Sequence, residues 1–175
     1  TVDALEDAVT RGLLVERRDR SGYHVPHDLV REVVTDRTSL ARTRLLHGRA
    51  ADELARRHAT DAARAPAGAV ARHLTAAGRT DEAATWHWRA AGESRRLYAH
   101  TETLEHTRAA LGLGFDPTSG HLRAGDTLTL MGRYPAALLD YEQAAASTTE
   151  PAALAEAEHR IAHVNDRLGD WSAAE

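Results

Sequence analysis

The chain has 175 residues, 42% of them apolar and 5% aromatic, with a formal net charge of −4. That length can bury a real core in one or two domains, and the acidic balance excludes a chain-wide nucleic-acid-binding surface. There is no Cys and all 22 basic residues are Arg, which excludes disulfides, thiolate chemistry, a Lys Schiff base and a P-loop lysine and fits a reducing cytoplasm. No apolar run approaches the roughly 18–20 residues of a membrane helix, and no signal peptide is visible. Ala fills many of the apolar positions, which favours closely approaching helices over a sheet protein.

In chain order, residues 3–11 put Leu5, Ala8 and Val9 on one helical face, with Gly12 as a stop signal. Leu13-Leu14-Val15 and Gly22-Tyr23-His24-Val25 flank the charged turn Arg17-Arg18-Asp19-Arg20-Ser21-Gly22 and read as a hairpin. His27-Asp28 opens a helix with the apolar stripe Leu29, Val30, Val33 and Val34; Asp28 can cap it or complement its dipole. Helix, hairpin, helix is the outline of a winged-helix unit. From Leu40 onward every segment has helical period. Helices are expected at 40–58, 67–77, 80–98, 101–113, 121–131, 135–147 and 151–168, with loops at 62–66 and 114–120, and a further one opening at Trp171. The fold class is therefore mostly α, with a winged-helix-like module and connecting helix over 1–60 and helical repeats over 61–175.

The repeat reading rests on spacing. Gly132-Arg133-Tyr134 and Gly169-Asp170-Trp171 are Gly-x-aromatic turns 37 residues apart, and Tyr98-Ala99-His100 lies 34 residues before Gly132. The tetratricopeptide period is about 34. In that register Leu104 matches Leu138, Ala110 matches Ala144, and Ala91, Gly125 and Ala162 share a small-residue position. Ala137 and Ala174 share another, where Thr103 is a poorer match. Small side chains there let paired helices approach closely, while Tyr141 fills space between pairs. A generic bundle with Ala-rich contacts would not need the recurrent spacing.

The stretch Val25-Pro26-His27-Asp28-Leu29-Val30-Arg31-Glu32-Val33-Val34, followed by Leu45-Leu46-His47 and Ala50-Ala51-Asp52-Glu53-Leu54, resembles the region after the ATPase core in large STAND-class regulators. These include LuxR-type regulators with a large ATP-binding module and antibiotic-pathway activators of actinobacteria. The resemblance covers essentially the whole chain. It implies a winged-helix module closing onto a tetratricopeptide array, and a structural or interdomain role for His27, Asp28 and Arg31. Val25 and Pro26 depart from the family, which usually has an aromatic or large apolar residue two places before the His. No Gly-x-x-x-x-Gly-Lys-Ser/Thr loop and no C-terminal helix-turn-helix are present. The resemblance thus implies a sensor arm for transcription regulation, needing no cofactor itself, with ATP bound by a missing upstream domain.

No nucleophile elbow, His-Glu-x-x-His helix or phosphate loop appears, so an enzyme is not expected. His159 and His163 are spaced i, i+4 and can share a face, but no third ligand completes a metal site. His27 is expected to tie the hairpin to the following helix by hydrogen bonds. The hairpin tip reads as a solvated turn or a contact to the ATPase core more readily than as a DNA contact. Trp86 and Trp88 lie two apart and cannot share a helical face, so one is core and the other faces the groove of the superhelix. Trp88, Arg95, Arg96 and His100 are the candidate groove residues, suited to an acidic peptide, a partner protein or a small effector. Direct nucleic-acid or membrane contact is not expected. The start at Thr1 and the end inside an opening helix suggest a piece of a longer protein. A free-standing scaffold, or the regulatory arm of a signalling enzyme such as a nucleotide cyclase, remain the alternatives.

Overall fold

The computed structural model describes residues 2–18, 22–63 and 66–169. The protein is mostly helical, with nine helices and one small antiparallel sheet among the described residues. The chain divides into two compact units, residues 1–45 and 46–175, and the division falls inside a helix, earlier than the expected boundary at 60.

The first unit contains α1 (Val2–Thr10), the strands β1 (Val15–Glu16) and β2 (Tyr23–His24), α2 (Asp28–Asp36) and the start of α3 (Leu40–Thr60). The strands pair antiparallel with Val15 opposite His24 and Glu16 opposite Tyr23. Asp19, Arg20 and Ser21 of the expected hairpin tip lie outside the described residues. No described residue of this unit is buried. Its apolar residues instead line an open cavity of about 300 Å³, with Leu13, Leu14, Val25, Val30 and Val34 on its walls.

The second unit contains the rest of α3, then α4 (Ala67–Ala77), α5 (Thr80–Arg96), α6 (His100–Gly112), α7 (Pro117–Leu130), α8 (Tyr134–Ala146) and α9 (Pro151–Leu168). From α4 on, each helix packs against the next, and α7 also touches α9. Two apolar clusters hold it. Ala51, Val70, Leu74 and Ala83 form one, with Leu54 and Trp86 against it; Leu128, Ala137, Tyr141 and Val164 form the other, with Leu104 and Ile161. Burying Leu74 or Leu128 contributes about 2–3 kcal/mol each. Many of the remaining contacts are alanines: Ala67, Ala71, Ala91, Ala110, Ala137 and Ala144 are almost wholly inaccessible, so backbones approach as the small-residue pattern requires. Thr103 is as buried as its counterpart Ala137. Its hydroxyl donates to the Ala99 carbonyl at 2.8 Å, and the Thr107 hydroxyl does the same to Thr103 at 2.7 Å. A threonine satisfied by its own helix fits where a free hydroxyl would not.

The helix ends explain one difference from the sequence reading. Residues 114–120 are not all loop, because α7 begins at Pro117. The Asp116 carboxylate accepts from Ser119 N at 3.0 Å, so Asp-Pro acts as N-cap and first helical residue. Hydrogen bonds to Ser119 accordingly hold the Asp116 pKa below its ordinary value. Helix α4 is started differently. Its N-cap, Pro66, offers no side-chain acceptor, and the Ala67 N–H donates instead to Glu93 Oε2 on α5 at 3.1 Å. The other Glu93 oxygen lies 3.4 Å from His58 Nε2 on α3.

Tyr98, between α5 and α6, takes φ 57°, the left-handed conformation that Gly132 takes between α7 and α8 with φ 71°. Its side chain is 81% exposed. Trp171 and Ala174 of the last expected turn lie outside the described residues. No helix among the described residues is long and apolar enough to cross a membrane.

Candidate functional site

A groove of about 630 Å³ is formed by the C-terminal end of α5, the face of α7, the start of α8 and the length of α9. Its organising residue is Asp126 on α7, which accepts from Arg160 Nε at 2.7 Å and from the Tyr141 hydroxyl at 3.1 Å. The Arg95 guanidinium stands 3.9 Å away. Tyr141 also meets Thr129 Oγ1 at 3.2 Å, and burial pushes its hydroxyl pKa up to about 12. It is a neutral hydrogen-bonding strut at any ordinary pH.

Arg160 reaches Glu156 as well, at 2.9 Å. Arg167 Nε donates to His163 Nε2 at 3.2 Å, which puts the His163 proton on Nδ1. His159 and His163 line the groove as exposed side chains, with Leu130 and Tyr134 supplying apolar wall. No group of three or more His, Cys, Asp or Glu among the described residues could hold a metal ion.

Of the four candidate groove residues, Arg95 lines this groove. Trp88 is occupied elsewhere: its ring stacks on Phe115, centroids 4.6 Å apart, and carries the Arg123 guanidinium 3.1 Å above its centroid. Arg123 Nη1 also donates to the Trp88 carbonyl at 3.0 Å. Burial, with the nearby Arg95 charge, lowers the Arg123 pKa to about 10, so it remains a cation at neutral pH. Trp86 packs against the first apolar cluster, edge-on to His58 with centroids 5.1 Å apart and with Arg89 over its ring. Both indoles are thus part-buried packing groups. Arg96 is exposed and His100 half-buried at the start of α6.

In the first unit, His27 is the N-cap of α2, and its backbone carbonyl accepts from Val30 N at 3.0 Å. Its side chain makes no capping hydrogen bond, so its contribution there is backbone geometry. Asp28 begins the helix as the acidic residue of the first turn. The side chain of Arg31 lies outside what is described.

Two polar clusters lie away from the groove. Asp140, 3% exposed, accepts two bonds from the Arg108 guanidinium and one from His121 Nδ1 at 2.8 Å, joining α6, α7 and α8. His87 and His106 face each other Nδ1 to Nδ1 at 2.9 Å across α5 and α6, and His87 Nε2 meets Thr75 Oγ1 at 3.3 Å.

Sequence reasoning missed Asp126, Arg160 and Arg167. One signal was available: Asp126 and Arg160 are 34 residues apart, the same spacing as Tyr98 and Gly132, and their side chains are directly bonded. No family model matches the chain, and no curated protein matches it.

Proposed function

We propose that this chain is the sensor arm of an ATP-dependent, STAND-class transcriptional regulator, and that it acts by binding a partner protein or small effector in the groove of a tetratricopeptide-like array. The groove itself carries the reading. Its walls come mainly from α5, α7 and α9, the first helices of successive pairs in the register Tyr98, Gly132, Gly169, with Tyr134 and Tyr141 of α8 completing them. Such helices line the inner face of a superhelix, where an extended ligand can touch several pairs at once. The left-handed residues at Tyr98 and Gly132, the buried Ala91 and Gly125, and the Asp126–Arg160 bond at 34 residues support the repeat. The order helix, hairpin, helix before it supports the winged-helix-like module. In this reading His27, Asp28 and Arg31 face the protein's own ATPase domain, and ATP is bound there and not by this chain. The array works in the cytoplasm without catalysis and without touching nucleic acid.

Two measurements test this. The coding sequence on either side is expected to carry a phosphate-binding loop upstream and a helix-turn-helix downstream; a cyclase domain, or neither, overturns the regulator assignment. Fluorescence titration with a panel of acidic peptides and small anionic effectors is expected to give saturable binding that Tyr134→Ala abolishes. Binding that is indifferent to Tyr134→Ala overturns the groove as the site.

A further inference from the structure

The groove's charge is a local construction, because the chain as a whole is acidic, at −4. Three guanidinium groups line it, Arg95 on α5 and Arg160 and Arg167 on α9, and a fourth, Arg123 on α7, is close enough to Arg95 and Asp126 to act on them electrostatically. Two carboxylates answer them. Asp126 and Glu156 both bind Arg160, which fixes that side chain and leaves it little capacity for a ligand. Arg123 is spent on the Trp88 ring and carbonyl, so it adds positive potential beneath the groove without reaching into it. Among the described residues Arg95 has the Asp126 oxygen at 3.9 Å, and Arg167 donates to the His163 ring nitrogen Nε2. Both are exposed. Among the described residues the site therefore has four guanidinium groups against two carboxylates, its two least engaged cations lying on two different helices, with the His159 and His163 imidazoles on its wall.

We infer that this groove accepts a phosphomonoester dianion carrying an organic arm, the phosphoryl oxygens bridging Arg95 and Arg167 and the arm lying against Leu130 and Tyr134. The inference rests on the groove reading above and sharpens it. A carboxylate would neutralise one of the two excess charges, whereas a phosphomonoester matches both and offers three strong acceptor oxygens. A volume of about 630 Å³ is far more than bare phosphate fills, and it lies within the range that holds small organic ligands. The apolar wall from Leu130 and Tyr134 gives the remainder of such a ligand a surface to cover.

The test is calorimetric titration of the whole chain at pH 8, where the phosphomonoester is fully dianionic. Phenyl phosphate is the probe and benzoate the monoanionic control. Phenyl phosphate is expected to bind saturably and about ten-fold or more tighter than benzoate, and Arg167→Gln to weaken it about ten-fold with helical circular dichroism unchanged. Equal or tighter binding of benzoate, no saturable phenyl phosphate binding, or full affinity in Arg167→Gln overturns the inference. A phosphoserine hexapeptide and glucose 6-phosphate, run in parallel, separate a phosphorylated protein segment from a phosphorylated metabolite as the source. If acidic peptides bind through Tyr134 while phenyl phosphate does not, the groove reading stands and the phosphomonoester assignment falls. If peptides, effectors and phenyl phosphate are all indifferent to groove substitutions, both fall.

Discussion

The ring of Tyr141 presses one edge against Gly125: a Cβ built on Gly125 would sit 2.5 Å from Tyr141 Cε1 and 2.7 Å from Cδ1. A flexible side chain could swing aside, but this ring is buried and its hydroxyl is held by Asp126 and Thr129. Gly125→Ala is therefore expected to cost about 2–3 kcal/mol, the range of overpacked cores. Tyr141→Phe keeps the ring and loses only the hydroxyl bonds, at about 1 kcal/mol. Urea denaturation of both variants checks the order; a Gly125→Ala protein as stable as wild type would mean that α7 and α8 separate freely.

Tyr98 occupies a left-handed conformation without needing its side chain there. Left-handed geometry costs a non-glycine residue roughly 1–2 kcal/mol, and the ring is too exposed to recover much of it. Tyr98→Gly removes that strain and adds back a smaller unfolded-state entropy, for a net gain of about 0.5 kcal/mol. A small rise in thermal midpoint is the expected result, and a fall would show that the exposed ring contributes a contact.

Acid sensitivity should come from paired histidines. The Thr75 hydroxyl donates to the Ala71 carbonyl at 3.0 Å, so it accepts from His87 Nε2; His87 Nδ1 is then the acceptor for His106 Nδ1–H. Protonating His87 would set two N–H groups face to face. Burial, then neighbouring charge, lowers the pKa of His87 and His106, and of His73, which is 2.8 Å from His47. In the unfolded chain these groups titrate near about 6.5. Folded values below that mean stability is fully present above about 6.5 and is lost as pH falls below it, because the unfolded state binds more protons. The carboxylates lowered by their partners, Asp116 and Glu82, respond only at more acid pH. Urea midpoints between pH 7.5 and 5.5 are expected to fall, and His106→Gln, which keeps a donor and removes a titrating ring, to flatten the decline.

The Asp140 cluster should respond asymmetrically. Asp140→Ala strips three bonds from Arg108 and His121 at a buried position and is expected to cost about 2–3 kcal/mol. Arg108 is 46% exposed, so its truncation leaves Asp140 still bound to His121 and should cost about 1 kcal/mol. Chemical denaturation giving the reverse order would locate the energy in Arg108 packing instead.

Trp88→Ala should lower stability by about 2–3 kcal/mol through loss of the Phe115 stack and the Arg123 contact. Anion affinity per folded molecule should change little, because Trp88 does not line the groove. Loss of binding at full stability would place the indole in the ligand's path.

Element positions were legible where period and breakers agree: α4 runs Ala67–Ala77 as the pattern ending at Gly78 predicts, and α9 runs Pro151–Leu168. The start of α7 was not, because Asp-Pro serves a turn or a helix N-terminus equally well, and only the Asp116–Ser119 bond decides. The site was half legible. Arg95 stands out as a cation near a helix end, but Asp126 and Arg160 look like ordinary surface charges until α7 and α9 are laid side by side. The two-residue offset of Trp86 and Trp88 could not show what Trp88 packs on, because its two covering groups, Phe115 and Arg123, lie 27 and 35 residues away.

Glu93 extends this to a whole helix. The carboxylate that closes the open N-terminus of α4 belongs to α5, 26 residues downstream, and its second oxygen faces α3. The start signal of α4 is thus stored in another element. A circular permutant or graft that carried α4 without α5 would leave its first amide unanswered, so α4 has to travel with α5.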